Sequence, residues 1–440
     1  MRHLFRARTA LCAVAFAATS LLRAADPAPA PILSPSPTPT PVAEADKPFD
    51  LPATDEGLPG AGPIRRFDWF RSVWITHRRQ WATETARDQG ALVFLGDSIT
   101  QGWGDVGSSF PGIKTANRGI SGDTTRGVLI RLKEDVIAVN PSGVVLLIGT
   151  NDIEEKAEPE VIAANLKLII AALRQHDPNM PVILCEVFPS SATKSRTAEQ
   201  IRKLNSLYRA AVADQPQVTV LDTWSLFANE HGDAKEIEMP DLLHPDLLGY
   251  AKWARALRPI LETVGLAPTW PDDFTPEPGF MNLFNGHDLT GWQYAGGPAF
   301  TRLTATPDGR YVVKNGRLVV TVSHRGQDYR KLWSTIKYPR DFVLKLEFRA
   351  SPAADSGIFV REPQLQCRDF LIAGPYATLT RYRPLDWNEI VVTVHGGLAH
   401  CTCNGEVLED AMPVPANGPI GLESDHGQVE YRRIRILEAR

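Results

Sequence analysis

The feature that most constrains this chain is a change of hydrophobic period partway along it. Between residues 62 and 266, short apolar runs without polar alternation are separated by amphipathic stretches. The runs are Ala91–Leu95, Val144–Ile148, Val182–Val187 and Val218–Leu221, and Val161–Gln175 and Thr197–Asp214 are examples of the spacers. A strand that is apolar on both sides needs cover on both faces, and helical spacers supply it. This part is expected to be a three-layer α/β domain on a parallel sheet. After Ala267–Gly279, which holds four prolines, the period becomes two: in Phe342–Arg349, Leu344, Leu346 and Phe348 share one face while Lys345, Glu347 and Arg349 share the other. Asn315-Gly316, Gly396-Gly397 and Asn404-Gly405 sit between apolar runs as hairpin turns. The second part is therefore expected to be an all-β sandwich or jelly roll.

The two ends of this organisation carry their own signals. Arg2, Arg6 and Arg8 precede the apolar stretch Thr9–Leu22, and small residues follow at Ala24 and Ala25, the pattern of a cleaved export signal. No later apolar run is long enough for a stable membrane span. Eight of the 35 prolines fall between Asp26 and Pro48. Such a stretch favours extended conformations and builds no core. The expected order is signal 1–25, proline-rich linker 26–61, α/β domain 62–266, linker 267–277 and β-sandwich 278–440. Residence is expected to be periplasmic or extracellular. The net charge of −4, from 47 basic and 51 acidic residues, argues against a globally basic nucleic-acid binder.

Cysteines and histidines point to no metal. Cys185 lies in an apolar run and reads as an inert core thiol. Cys401 and Cys403 are two apart on an expected strand, so they share a face and do not suit a mutual bond. A bridge from Cys367 to either is open in an oxidising compartment. Paired zinc spacing is absent, and His324, His395 and His400 fall outside metal-ligand patterns. No cofactor is expected.

The chemistry gathers where strands end. Gly96-Asp97-Ser98-Ile99 follows the first apolar run, and Gly149-Thr150-Asn151-Asp152 follows Val144–Ile148. In an open parallel sheet, ligands bind beyond the carboxyl ends of strands. A serine nucleophile needs a base, a group that orients the base, and donors for an oxyanion. Asp241 and His244 are three apart, so one turn can present both. Asn151 offers a side-chain amide, Gly119 an unobstructed backbone N–H and Ser98 its own. Each fragment alone is commonly a turn or a cap; their conjunction in order, each after an α/β strand, is what points to acyl transfer.

These four blocks resemble the SGNH (GDSL-type) hydrolase superfamily. Phe94–Trp103 and Gly119–Thr125 are most similar to its platelet-activating-factor acetylhydrolase-like branch. The resemblance implies a flavodoxin-like sheet and a metal-free esterase with Ser98 as nucleophile, His244 as base and Asp241 as its orienter. It also implies an oxyanion hole from the Ser98 and Gly119 amides and the Asn151 side chain. No Gly-x-Ser-x-Gly elbow occurs in the chain.

In the second part, Phe284–Trp292, Leu346–Arg349, Asp355–Arg361, Trp387–Ile390 and Gly418–Leu422 resemble the 3-keto-disaccharide hydrolase domain family. That implies a concanavalin-A-like jelly roll associated with carbohydrate. Glu347, Arg361 and Gln366 are its candidate sugar-facing residues, weighed against an ordinary solvated sheet face. Trp292 and Trp387 fit burial better than sugar stacking. The expected function is an exported serine esterase that removes acyl groups, acetyl first among them, from a small-molecule or polysaccharide ester. The alternatives are a lipid-directed acylhydrolase with a structural β-sandwich, a glycan-binding module with a vestigial enzyme, and a 3-keto-glycoside hydrolase with an accessory esterase. Oligomeric state is not legible.

Overall fold

The structure is a computed structural model that describes residues 44–268, 272, 274–321, 330–369 and 374–439. The export signal, residues 26–43 of the proline-rich linker and His324 lie outside the described residues. Among the described residues no helix is long and apolar enough to cross a membrane.

The N-terminal domain is a five-stranded parallel sheet covered by helices. Its strands are β1 (Leu92–Gly96), β2 (Thr115–Gly119), β3 (Gly143–Leu147), β4 (Val182–Cys185) and β5 (Val218–Leu221), in the order β2-β1-β3-β4-β5. The main helices are α1 (Asp68–Glu84), α2 (Ser98–Gly102), α3 (Thr125–Asp135), α4 (Thr150–Glu154), α5 (Pro159–His176), α6 (Ala198–Val212), α7 (Thr223–Phe227) and α8 (Leu247–Thr263). Every residue of β1, β3 and β4 is buried, as their unbroken apolar sequence requires. One core, with Val93, Leu95, Val144 and Leu146, lies on one side of the sheet; a second, with Leu92, Phe94, Val145 and Leu147, lies on the other. In this strand order the chain reverses direction between β1 and β3, and the crevice that opens there is where such sheets bind ligands. Ser98 follows β1 and Asn151 follows β3.

The domain begins earlier than the sequence suggests. Residues 44–61, read as linker, pack on it: Leu51 joins Phe70, Trp74, Trp81 and Ile120 in a small core. Asp50 pairs with Arg71, Asp55 pairs with Arg66 and Arg126, and the Ala61 amide donates to Asn165 Oδ1 at 3.1 Å. Composition marked this stretch as spacer because its apolar anchors are single residues between polar ones.

The C-terminal domain is an antiparallel sandwich of an eight-stranded and a six-stranded sheet. Phe342–Ala350 alternates as its sequence predicts, with Leu344, Leu346 and Phe348 in the core. Asn315-Gly316, Gly396-Gly397 and Asn404-Gly405 close three hairpins, each with positive φ at both positions. Cys401 and Cys403 share the core face. The described cysteines, Cys185, Cys367, Cys401 and Cys403, are all buried free thiols.

The candidate sugar-facing residues do not converge. Glu347 lies on the eight-stranded sheet and accepts from Arg432 Nε at 2.6 Å and Arg433 Nη1 at 2.9 Å. Arg361 is buried and donates to the carbonyls of Pro415 and Arg340, both at 2.6 Å. Gln366 belongs to the six-stranded sheet, through Gln364–Arg368. Alternation reveals which face a residue shares within its strand, but not which sheet the strand joins. Trp292 is buried, and Trp387 lies under the guanidinium groups of Arg317, Arg349 and Arg432.

The two domains share a buried ionic network. Glu430 accepts from Arg349 Nη2 at 2.8 Å, Gln428 Nε2 at 2.8 Å and Thr263 Oγ1 at 3.0 Å. Arg317 and Arg349 also reach Glu262, both at 3.1 Å, at the end of α8. Removing one partner of a buried ion pair leaves the other charge uncompensated. Arg349→Ala should therefore lower unfolding free energy by about 3 kcal/mol, read from the urea midpoint at constant slope.

Candidate active site

The site is assembled by backbones that come unusually close. β1 and β2 end in register at Gly96 and Gly119. A Cβ on Gly119 would stand 2.2 Å from Gln101 N and 2.8 Å from Asp97 O, so only glycine lets the end of β2 lie against α2. Asp97 caps α2, its Oδ1 accepting from the Ile99 amide at 2.9 Å. Ser98 is thus the first helical residue, and its amide has no protein acceptor among the described residues, as expected for a helix start.

Ser98, His244 and Asp241 form one hydrogen-bonded line. His244 Nε2 is 2.9 Å from Ser98 Oγ, and His244 Nδ1 is 2.7 Å from Asp241 Oδ2. The acidic partner selects the tautomer with the proton on Nδ1, leaving Nε2 to accept from the serine hydroxyl. The other oxygen, Asp241 Oδ1, accepts from the amides of Leu243 at 3.0 Å and His244 at 2.7 Å, so the carboxylate builds the turn that carries the histidine. Leu242 takes a φ of 63° inside this turn, and its carbonyl accepts from Ser190 Oγ at 2.8 Å. Partial burial pushes the Asp241 carboxyl up, but the His244 and Leu243 amides and the imidazole outweigh it and hold the group below the usual carboxylate range. The carboxylate therefore stays ionised where the histidine needs it. The His244 and Asp241 side chains are 40% and 46% exposed, so the line opens directly to solvent.

Asn151 is buried at the start of α4. Its Nδ2 donates one proton to the Asp123 carbonyl at 2.9 Å, which leaves the second. Its Oδ1 accepts from two guanidinium groups, Arg65 Nη1 and Arg196 Nη2, both at 3.3 Å. Glu154 joins these arginines, pairing with Arg65 and, at 2.7 Å, with Arg196. Two cations on the carbonyl end fix which end of the amide is which and polarise its N–H bonds. Neither arginine lies in a motif block, so the sequence offered no signal for them beyond their type.

The Gly119 amide, expected as an oxyanion donor, is not free in this structure. Its amide already donates to Asn117 Oδ1 at 2.9 Å, and its contribution is the missing Cβ. The neighbouring amides of Ile120, Ser121 and Asp123 are also taken, by Gly96 O, Gln101 Oε1 and Ile120 O. Gly122 is the exception: its amide has no protein acceptor among the described residues, and its φ is +86°. A Cβ there would meet Trp69 Cη2 at 2.6 Å and Arg65 Nη1 at 3.1 Å. In sequence both glycines look unobstructed, and only the hydrogen bonds distinguish them.

Three carboxyls lie buried around the crevice. Burial raises Asp97 and Asp123 to about 6 and Asp152 to about 7. Arg131 tempers the rise at Asp123, and the Thr125 hydroxyl and amide temper it at Asp152. The described residues hold no group of three or more His, Cys, Asp and Glu side chains suited to a metal ion.

A parallel sheet with a serine, a histidine and a carboxylate in line at its switch point is the equipment of an ester-bond hydrolase. Residues 94–252 match the GDSL-like Lipase/Acylhydrolase family, and residues 279–437 match the 3-keto-alpha-glucoside-1,2-lyase-like domain. The chain thus carries a GDSL-like acylhydrolase domain followed by a 3-keto-disaccharide hydrolase-like domain. Among curated proteins it is 29% identical over 195 residues to platelet-activating factor acetylhydrolase IB subunit alpha1 of Pongo abelii, covering 43% of this chain and 82% of that one. Similar solved structures include a GDSL-like lipase from Bacteroides thetaiotaomicron, at 24% identity, TM-score 0.38, and coverage of 42% of this chain and 97% of that one. An acetylxylan esterase from Geobacillus stearothermophilus aligns at 21% identity, TM-score 0.33, and coverage of 42% and 100%.

The buried Asp152 gives a pH test. Its folded pKa, about 7, lies above that of an unfolded aspartate, about 4. Between these values only the folded state keeps the proton, so this carboxyl's contribution to stability falls as pH rises through the window and is level above it. Melting temperatures of wild type minus Asp152→Asn should accordingly decline from pH 4 to pH 7 and then stay flat.

Proposed function

We propose that the N-terminal domain is a serine esterase in which Ser98 attacks, His244 accepts and returns the proton, and Asp241 orients the imidazole. The observation that carries this reading is the Asp241–His244–Ser98 line, with its 2.7 and 2.9 Å contacts. Ser98 Oγ bonds to the ester carbonyl carbon as its proton passes to His244 Nε2. The oxyanion is received by the Ser98 and Gly122 amides and the free Asn151 N–H. The alcohol leaves with the proton from His244, and water, activated by the same base, releases the acid.

The acyl group in this reading is acetyl, supported by the activity in the name of the 29%-identical relative. The alcohol is carbohydrate, supported by the family of the second domain and by the open setting of the Ser–His–Asp line, which suits a bulky ester partner. Export to the periplasm or outside the cell is part of the same proposal and rests on the Arg2–Ala25 pattern.

A second reading, a lipid-directed acylhydrolase, is favoured by Leu247 and Leu248, which follow His244 closely and are 88% and 61% exposed. Acyl-length profiling separates the two, because a preference for long acyl chains would sink the acetyl reading.

Two substitutions test the chemistry. Ser98→Ala should reduce kcat on p-nitrophenyl acetate by roughly 10⁴-fold or more, and unchanged hydrolysis would refute the assignment. Asn151→Ala should reduce kcat by about 10²- to 10³-fold, the usual effect of losing one oxyanion donor, with KM little changed.

A further inference from the structure

Two aromatic rings stand beside this site and belong to no core. Phe67 and Trp69 are 54% and 51% exposed, and their rings are stacked with nearly parallel planes, 11° apart, and centroids 6.4 Å apart. A single exposed aromatic residue needs no explanation, but a stacked pair at the edge of a catalytic crevice does. The pair is braced through Trp69. Trp69 packs edge-on against buried Phe70 at 5.8 Å, and Phe70 in turn packs on buried Trp74.

Its location is set by the oxyanion side of the crevice. Trp69 lies against Gly122, where an added Cβ would be 2.6 Å from its ring. Four residues earlier, Arg65 holds Asn151 Oδ1. The segment Arg65–Trp69 therefore touches the Gly122 backbone and the Asn151 amide at once. It also precedes residues 94–252, the stretch that matches the acylhydrolase family.

We propose that Phe67 and Trp69 form a subsite for a sugar ring, the alcohol part of the ester whose carbonyl is held at Ser98. This rests on the esterase reading above and names the element that recognises its substrate. A pyranose has a face of C–H groups and a rim of hydroxyls. The stacked pair supplies a flat apolar ring face, and the exposed Asp68 between the two residues supplies a polar neighbour for the rim. A lipid tail would instead call for an apolar surface unbroken by charge. Rigid aromatic side chains give contact area at low entropic cost, which suits weak stacking to a polymer.

The test uses the full chain and compares p-nitrophenyl acetate with acetylated methyl glucoside and acetylated cellobiose. Trp69→Ala should lower kcat/KM on the acetylated sugars about tenfold, mainly through KM, corresponding to the upper end of an aromatic contact. The loss on p-nitrophenyl acetate should be several times smaller. Trp69→Phe should recover most of the sugar activity, and Phe67→Ala repeats the test without disturbing the Gly122 contact. An equal loss on all three esters, or no loss in Trp69→Ala and Phe67→Ala, overturns the subsite. So does a loss confined to long-chain esters, which would mark a lipid wall, or wild-type inactivity on both acetylated sugars. Failure of the esterase reading looks different: Ser98→Ala would then retain p-nitrophenyl acetate hydrolysis.

Discussion

The site depends on how near three backbones can come at the carboxyl edge of one sheet. A Cβ on Gly96 would stand 2.3 Å from Leu147 O, and one on Gly119 would stand 2.2 Å from Gln101 N. Without those two glycines, β3 and the end of β2 could not flank the start of α2 at their present distance. Ser98 would then lose its place between the Asn151 helix and the Gly122 loop. The helix start at Ser98 follows from this close approach, whereas His244 reaches the serine from the far end of the domain in sequence.

Much of that was legible in the chain. Ser98, Asn151, Asp241 and His244 stand after strands or in a short turn, where local spacing determines what they can reach. Arg65 and Arg196 were not legible, because they act on Asn151 from 86 and 45 residues away and no periodic pattern marks an arginine that faces a carbonyl. The choice between Gly119 and Gly122 turned on which amide already had an acceptor, a fact that exists only after Asn117 folds back onto Gly119. Residues 44–61 were hidden for a related reason: one buried leucine and a few ion pairs fasten them, and composition averages such anchors away.

The second domain shows the same limit at the level of sheets. Period two correctly places Leu344, Leu346 and Phe348 in the core, yet it also assigns Arg349 to a solvated face. Arg349 is buried there because the first domain covers that part of the sheet and supplies Glu262 as a partner. A polar face that becomes an interface is indistinguishable in sequence from one that meets water. The charges on Glu430, Arg317 and Arg349 are then mutual requirements, since each is costly to bury alone.

Helix α8 connects these two regions. It is capped by Asp246, two residues after His244, and it ends at Thr263, whose hydroxyl donates to Glu430 of the second domain. At 1.5 Å per residue it is a rod about 25 Å long. One end supports the imidazole and the other is bolted to the β-sandwich. The second domain is in this sense a mechanical footing for the histidine. How the sandwich seats on the end of α8 thus bears on the same helix that starts two residues after His244, the residue within hydrogen-bonding distance of Ser98.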